Sequence, residues 1–144
     1  MKVLVLNGPN MNMLGIRQPE IYGHATYQDL VSMVQAEAEK LSVEVDFFQS
    51  NHEGDLISAM QQAYLDDVDG IIINPAAYTH TSIALLDAVK AVGIPTVEVH
   101  LTDIHAREAF RQHSYISPAC IRTICGHGFD GYVMAMELLK EHLK

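Results

Sequence analysis

Short apolar runs alternate with segments of helical period along the chain, and this alternation constrains the fold more than any other feature of the sequence. Five runs are predicted to be β-strands, at residues 3–6, 43–48, 70–74, 95–100 and 121–125. Helices are predicted between or after them, at residues 26–41, 53–65, 82–92 and 130–142. Continuously apolar strands such as "GIII" indicate burial on both faces, and therefore a parallel sheet with right-handed crossovers. We predict an α/β fold, a flavodoxin-like, doubly wound, five-stranded parallel sheet of order 2-1-3-4-5.

Two of the predicted helices carry further local signals. Thr26 and Asp29 have the residue types and spacing of a capping box, so the first helix should begin there. The second helix repeats apolar side chains that are predicted to share one buried face: Leu56, Ile57, Met60, Ala63 and Tyr64.

Length and composition favour one globular domain that spans residues 1–144. No apolar run approaches the ~20 residues of a membrane span, and the opening "MKVLVLN" is too short for a signal peptide. We therefore expect a cytoplasmic protein with no membrane partner. The chain has nine basic and eighteen acidic residues, a net charge of -9, and no basic cluster, so we expect no nucleic-acid partner.

The two cysteines are expected to be free thiols. Cys120 and Cys125 fall on the last predicted strand, where five positions separate two side chains by ~16 Å and place them on opposite faces. That separation is beyond the reach of a disulfide.

Polar side chains follow three of the predicted strands. Asn7 and Asn10 follow the first strand, residues 74–80 follow the third, and Glu98 and His100 end the fourth. Ligands of doubly wound sheets bind outside the carboxyl ends of the strands, so these side chains are predicted to converge on one cleft. Residues 7–23 carry no helix signal and form a long loop beside it, and loops of this length are usually functional or disordered.

Several familiar motifs can be set aside. "GHGFDG" at 126–131 has the spacing G-x-G-x-x-G, but no strand with an acidic residue follows it, so its glycines are predicted to form a tight strand-to-helix turn. The histidines lack the spacing of a metal-ligand set, and no Walker A or nucleophile motif occurs. The lysines fall at termini or on helix surfaces, which disfavours an imine mechanism. We therefore expect acid–base chemistry with no metal and no cofactor.

Four blocks of sequence together resemble the type II 3-dehydroquinate dehydratases over nearly the whole chain. The blocks are "LNGPNMNMLGIRQPEIYG", "INPAAYTHTS", "IPTVEVHLTDIHAREAFRQHS" and "GHGFDGY". The resemblance implies a hydro-lyase that converts 3-dehydroquinate into 3-dehydroshikimate by anti elimination of water through an enolate. This reaction is a step of the shikimate pathway of aromatic amino-acid biosynthesis.

The resemblance also implies the catalytic residues. Tyr22 is expected to be the base that removes a proton next to the ketone, and Arg17 is expected to favour its phenolate. A phenol in water is only ~0.1% ionised at pH 7, so such a base needs a fixed cation nearby. His100 is expected to protonate the departing hydroxyl, with Glu98 orienting its ring, and Asn10 to stabilise the enolate oxygen through a water.

A second set of residues is expected to bind the substrate. It comprises Asn74, His80, Arg107, Arg111 and the backbone amides of Leu101 and Thr102. Residues 16–23 are expected to close over the substrate as a lid. Asp87, on the third long helix, is expected to reach the site of a neighbouring subunit, which implies a homo-oligomer, a dodecamer built from trimers in this family.

Four positions depart from the family pattern. Met11 and Met13 stand where leucine is common, Gln18 where an acid is common, and Asp103 where asparagine is common. The methionines are expected to alter packing along the cleft, and Asp103 to add negative charge near the carboxylate site. Two alternatives from other classes stay open, a non-catalytic flavodoxin-like binding module and a phosphate-binding enzyme of similar fold.

Overall fold

A computed structural model describes residues 1–144 and contains a five-stranded sheet of order β2-β1-β3-β4-β5. The strands are β1 (Lys2–Asn7), β2 (Glu44–Gln49), β3 (Gly70–Asn74), β4 (Thr96–His100) and β5 (Arg122–Cys125). Every neighbouring pair of strands is parallel. The predicted fold class and strand order are confirmed, and each predicted strand boundary lies within one residue of the observed one.

Helices cover both faces of the sheet. They are α1 (Pro19–Tyr22), α2 (Tyr27–Leu41), α3 (Glu53–Leu65), α4 (Ile83–Val92) and α5 (Asp130–His142). The buried side chains of α2 and α5 join a core on one face, and those of α3 and α4 form a second core on the other. Every residue of the central strand β3 is buried, which explains its continuous apolar run. None of the helices is long and apolar enough to cross a membrane.

The helix signals are confirmed with one exception. At the start of α2 the Asp29 amide donates to the Thr26 hydroxyl at 3.1 Å, and the Thr26 amide donates to the Asp29 carboxylate at 2.9 Å. In α3, however, Tyr64 is 60% exposed rather than buried. At 100° per residue Tyr64 lies roughly 80° from the centre of the buried stripe, and in the last turn it projects into solvent.

The segment 7–23 is not free of helix, contrary to the prediction. It contains a 3₁₀ turn at Met11–Met13 and the single α-helical turn α1. Pro19 begins α1, where its fixed φ suits a helix and its missing N–H costs no hydrogen bond. Gly23 ends α1 with a φ of 83° and donates from its amide to the Pro19 carbonyl. One turn is too short to produce a helical period in the sequence.

Cys120 is not on a strand, which corrects the predicted placement. It follows a 3₁₀ turn at Ser117–Ala119, and β5 begins two residues later. The Cys120 amide donates to the Ser117 carbonyl at 3.1 Å and closes that turn, so it is not available to a strand ladder. Both cysteines are free thiols, as predicted.

The glycine-rich segment after β5 forms the predicted strand-to-helix turn. Gly126 and Gly128 have φ values of 82° and 56°, in the left-handed region that favours glycine. Gly131 lies in the first turn of α5, where an added Cβ would come within 3.1 Å of a methyl group of Val99. The glycines therefore allow a tight turn and a close approach of α5 to the sheet.

Candidate active site

A cavity opens at the carboxyl ends of the strands and gathers most of the predicted residues. Those that line it are Asn10, Arg17, Tyr22, Asn74, His80, His100, Leu101, Thr102, Arg107 and Arg111. Glu98 lies behind His100 and is fully buried, whereas Asp87 is exposed on α4 and does not line the cavity. A larger groove beside β2 contains none of these residues, so cavity size does not identify the site.

Tyr22 lies between two guanidinium groups. Arg107 Nη1 donates a hydrogen bond of 2.9 Å to the Tyr22 hydroxyl. Arg17 stacks on the ring, with its Cζ 4.7 Å from the ring centroid. Because Arg107 and Tyr22 are 85 positions apart, no local sequence signal could have revealed their contact. Both guanidiniums place positive charge beside the phenol ring, and Arg107 contacts its oxygen.

Glu108 ties together the two arginines that come from the segment after β4. Its carboxylate forms an ion pair with Arg111, Nε to Oε2 at 2.9 Å, and lies 3.8 Å from Arg107 Nε. The charge of Glu108 is half exposed, whereas both guanidiniums are mostly buried along the cavity wall. Glu108 therefore holds the two guanidiniums in place by ion pairing from outside the cavity.

Glu98 and His100 stand two positions apart on β4, so their side chains lie on the same face of the sheet. The Glu98 carboxylate accepts a hydrogen bond from His100 Nε2, the contact that their spacing predicted. This leaves Nδ1 as the ring nitrogen available to a substrate.

Glu98 has four further partners that no sequence pattern indicated. Its carboxylate accepts hydrogen bonds from Thr79 at 2.7 Å, Ser114 at 2.8 Å, Ser117 at 2.8 Å and Thr123 at 3.2 Å. Burial raises the pKa of Glu98, but the bond and charge of His100 and the hydroxyl donors lower it more, to about 2. The buried carboxylate is therefore ionised at neutral pH.

His80 lies beside His100, with the two ring centroids 6.5 Å apart and the rings 21° from parallel. Its Nδ1 is 2.8 Å from the carbonyl of His113 and must donate there, since a carbonyl can only accept. Burial lowers the pKa of His80, and the positive charges of His100 and Arg111 lower it further, against the opposing effect of the His113 bond. A neutral His80 would present Nε2 as an acceptor for a hydroxyl group.

The backbone of Asn10 is in the left-handed region, with a φ of 69°. Residues other than glycine rarely adopt this conformation, although asparagine does so more often than most. The backbone amide of Asn10 donates to the side-chain oxygen of Asn51 at 3.0 Å, and that oxygen also accepts from the side-chain amide of Gln49 at 3.2 Å. The Tyr78 hydroxyl in turn donates to the Asn51 carbonyl at 2.8 Å. These contacts connect the loop of Asn10 to two other loops at the carboxyl edge of the sheet.

Two departures from the family pattern have structural explanations. Met11 is buried, and its sulfur accepts a weak bond of 3.5 Å from the Asn74 side-chain amide. A leucine could not make that contact. Asp103 does not line the cavity, and its carboxylate instead accepts from the His105 amide at 3.0 Å as the cap of a 3₁₀ turn. The Asp103 carboxylate therefore caps the 3₁₀ turn rather than facing the cavity.

The doubly wound sheet and a cavity that combines a tyrosine, arginines and a histidine–carboxylate pair define an α/β enzyme of the acid–base class. The chain matches the model of the family described as dehydroquinase class II over residues 1–140. It is 56% identical over 143 residues to a 3-dehydroquinate dehydratase of Clostridium acetobutylicum, with 99% of each chain covered. It is 55% identical over 142 residues to one of Caldicellulosiruptor bescii, covering 99% of this chain and 98% of that protein.

Solved structures agree with these relatives. The crystal structure of a type II dehydroquinase from Butyrivibrio crossotus superposes with a TM-score of 0.95 at 47% identity, covering 96% of this chain and 97% of that one. The chain belongs to the class II dehydroquinase family.

Proposed function

We propose that this protein is a type II 3-dehydroquinate dehydratase, a hydro-lyase that eliminates water from 3-dehydroquinate to give 3-dehydroshikimate. Its family membership supports the reaction, and one observation carries the mechanism: the Tyr22 hydroxyl is bonded to the Arg107 guanidinium in the same cavity as the His100–Glu98 pair. The non-catalytic and phosphate-binding alternatives are not favoured, because the relatives are named as dehydratases over the full length of the chain.

In the first step the Tyr22 phenolate removes a proton from the carbon next to the substrate ketone, and the bonding electrons move onto the carbonyl oxygen. Arg107 and Arg17 place their positive charges at the hydroxyl and the ring face of Tyr22, where they stabilise negative charge on its oxygen as the proton moves. The resulting enolate oxygen is stabilised by Asn10, through a water.

In the second step the enolate expels the hydroxyl group, which leaves as water after taking a proton from His100. Glu98 accepts a hydrogen bond from His100 Nε2 and orients the ring for this transfer. The substrate carboxylate is held by the backbone amides of Leu101 and Thr102, with Asn74, His80 and Arg111 completing the binding set. Tyr22 returns its proton to solvent and His100 regains one, so each turnover consumes no cofactor.

The direct test is conversion of 3-dehydroquinate, followed by the ultraviolet absorbance of the enone product. We expect turnover by the purified protein with no added metal or nucleotide. Binding of phosphate or nucleotides without any turnover would instead support one of the alternatives.

We predict that sodium borohydride will not inactivate the protein in the presence of substrate. Borohydride traps an imine between a lysine and a ketone, and no lysine lines the cavity. The measurement is residual activity and intact mass after treatment, with and without substrate. A substrate-dependent loss of activity together with a reduced lysine adduct would contradict the proposed mechanism.

We also propose that the protein assembles as a homododecamer built from trimers and that Asp87 contributes to a neighbouring site. Asp87 is exposed on α4, and Ile83, one turn earlier, is 55% exposed. An exposed acid that does not line its own cavity is available to a neighbouring subunit. A cytoplasmic location stays a prediction.

Asp87→Ala is expected to raise KM several-fold and leave the fold intact, because Asp87 contacts nothing in its own cavity. Glu39→Ala, which removes an exposed acid from α2, is the matched control and should leave KM unchanged. The measurements are steady-state kinetics and light scattering. A fully active monomer would refute both the oligomer and the role of Asp87.

A further inference from the structure

We propose that Thr79, Ser114, Ser117 and Thr123 are positioning residues for the reaction, which together form a hydroxyl cage that fixes Glu98 as an ionised partner of His100. None of them lines the cavity, so they act through Glu98 and His100 rather than on the substrate. The inference rests on the proposed function only for its kinetic consequence.

The number of donors explains why the cage selects a carboxylate. Four hydroxyls and one imidazole N–H lie within hydrogen-bond distance of the two Glu98 oxygens. An ionised carboxyl offers about four lone-pair sites and no donor, so it can use nearly all of them. A protonated carboxyl would accept fewer bonds, and the hydroxyls would have to turn to one another instead, Thr79 toward Ser114 and Ser117 toward Thr123, each pair 3.0 Å apart. These neutral bonds are weaker than bonds to an ionised carboxylate.

The hydroxyl of Ser114 is itself oriented. Its oxygen accepts from the Ser117 amide at 3.3 Å, so its proton is free to point toward Glu98 at 2.8 Å. Ser117 donates to the other oxygen of the carboxylate at 2.8 Å. The two serines therefore contact both Glu98 oxygens and fix the plane of the carboxylate relative to the His100 ring.

The cage also joins separate segments of the site. Thr79 precedes His80, Ser114 follows the segment that carries Arg107 and Arg111, and Thr123 lies on β5. Because all of them donate to one carboxylate on β4, a single buried anion links the walls of the cavity.

Few other ionisable groups lie close enough to Glu98 to interact with its charge. His100 is bonded to it, and His80 is near enough to feel its charge. Cys120 and Cys125 are also close, but burial and the Glu98 charge raise the pKa of both thiols, that of Cys120 to about 12. The thiols stay neutral, so the two imidazoles are the groups near Glu98 that can carry the opposite charge.

The test compares two substitutions at one position. Thr79→Val keeps the shape of the side chain and deletes its hydroxyl, whereas Thr79→Ser keeps the hydroxyl. Thr79→Val should lower kcat about tenfold with little change in KM, because the carboxylate loses one of the bonds that fix its plane against the His100 ring. Thr79→Ser should restore kcat.

A control separates this role from a general loss of stability. Thr96 is buried on the same strand as Glu98, but its hydroxyl donates to the Ile94 carbonyl rather than to Glu98. Thr96→Val should therefore leave kcat unchanged. An unchanged kcat in Thr79→Val, or an equal loss in Thr96→Val, would overturn the proposal. If Thr79→Val does not fold, Ser117→Ala provides the same comparison.

Thermal unfolding provides a test that needs no activity. A lowered carboxyl pKa in the folded state stabilises the protein above the pKa of the unfolded chain, and this stabilisation is lost as pH falls through the folded value of about 2. Thr79→Val should therefore lower Tm, relative to wild type, more at pH 7 than at pH 3. Thr96→Val should lower Tm by the same amount at both pH values. A pH-independent deficit in Thr79→Val would contradict the cage even if the protein has no dehydratase activity.

Discussion

Replacing Tyr22 by phenylalanine is expected to lower kcat by ~10³-fold or more, since the substitution deletes the group that removes the substrate proton. The aromatic ring stays, so the stacking of Arg17 is preserved and the fold should be unaffected. Of the interactions around the ring, the substitution removes the hydrogen bond from Arg107. KM should change little, because the phenolate acts on the transition state rather than on ground-state binding.

The activity of Tyr22→Phe should also stay flat as pH rises, because phenylalanine has no proton to lose. The measurement is a pH profile of kcat from neutrality to the limit of stability. Tyr64→Phe, which removes a hydroxyl from an exposed position on α3, is the matched control and should behave like wild type. Near-wild-type activity in Tyr22→Phe would show that another residue is the base.

The sheet could be predicted because strands that are buried on both faces appear in the sequence as continuous apolar runs. β3 is apolar at four of its five positions and buried at all of them, and the predicted bounds of α3 and α5 agree with the structure. The position of the cavity follows from the same pattern, since the topology of a doubly wound sheet fixes where the carboxyl ends of the strands meet.

The short helix α1 and the surroundings of the pair on β4 could not be predicted in the same way. α1 is one turn long, so it shows no period, and its ends depend on Pro19 and Gly23. The four hydroxyls around Glu98 come from distant segments and share no spacing. Serine and threonine are common on surfaces, and only the three-dimensional arrangement distinguishes these four from solvated ones.

The tyrosine and its cations show both what the sequence can indicate and where it stops. Arg17 and Tyr22 are neighbours on one segment, so a contact between them is expected, and the structure places Arg17 over the ring. The hydrogen bond to the hydroxyl comes instead from Arg107. The resemblance to the family identified Arg107 only as part of the binding set, and its contact with Tyr22 required the fold.

Removing either arginine should lower kcat by ~10²–10³-fold at pH 7, because a phenol in water is only ~0.1% ionised at that pH. Arg107→Ala is expected to have the larger effect, since Arg107 touches the oxygen that carries the charge and Arg17 contacts the ring face. Arg122→Ala, which removes an exposed arginine from β5, is the control and should have no effect.

The pH dependence separates loss of activation from loss of the base. Activity of both arginine variants should rise with pH, because hydroxide then generates the phenolate that the guanidinium favoured, whereas Tyr22→Phe stays flat. Arg107→Lys should recover only part of the activity at pH 7, since an ammonium keeps the charge but not the planar geometry of the guanidinium.

Combining the substitutions tests whether the two residues act on one step. If Arg107 works only through the phenolate, Arg107→Ala in the Tyr22→Phe background should cause no further loss of kcat, although each single change costs orders of magnitude. Additive losses would mean that Arg107 acts on the substrate independently of Tyr22. Full activity in Arg107→Ala with a large loss in Arg17→Ala would show that Arg17 moves to the hydroxyl when substrate binds, and that the bond to Arg107 belongs to the resting enzyme.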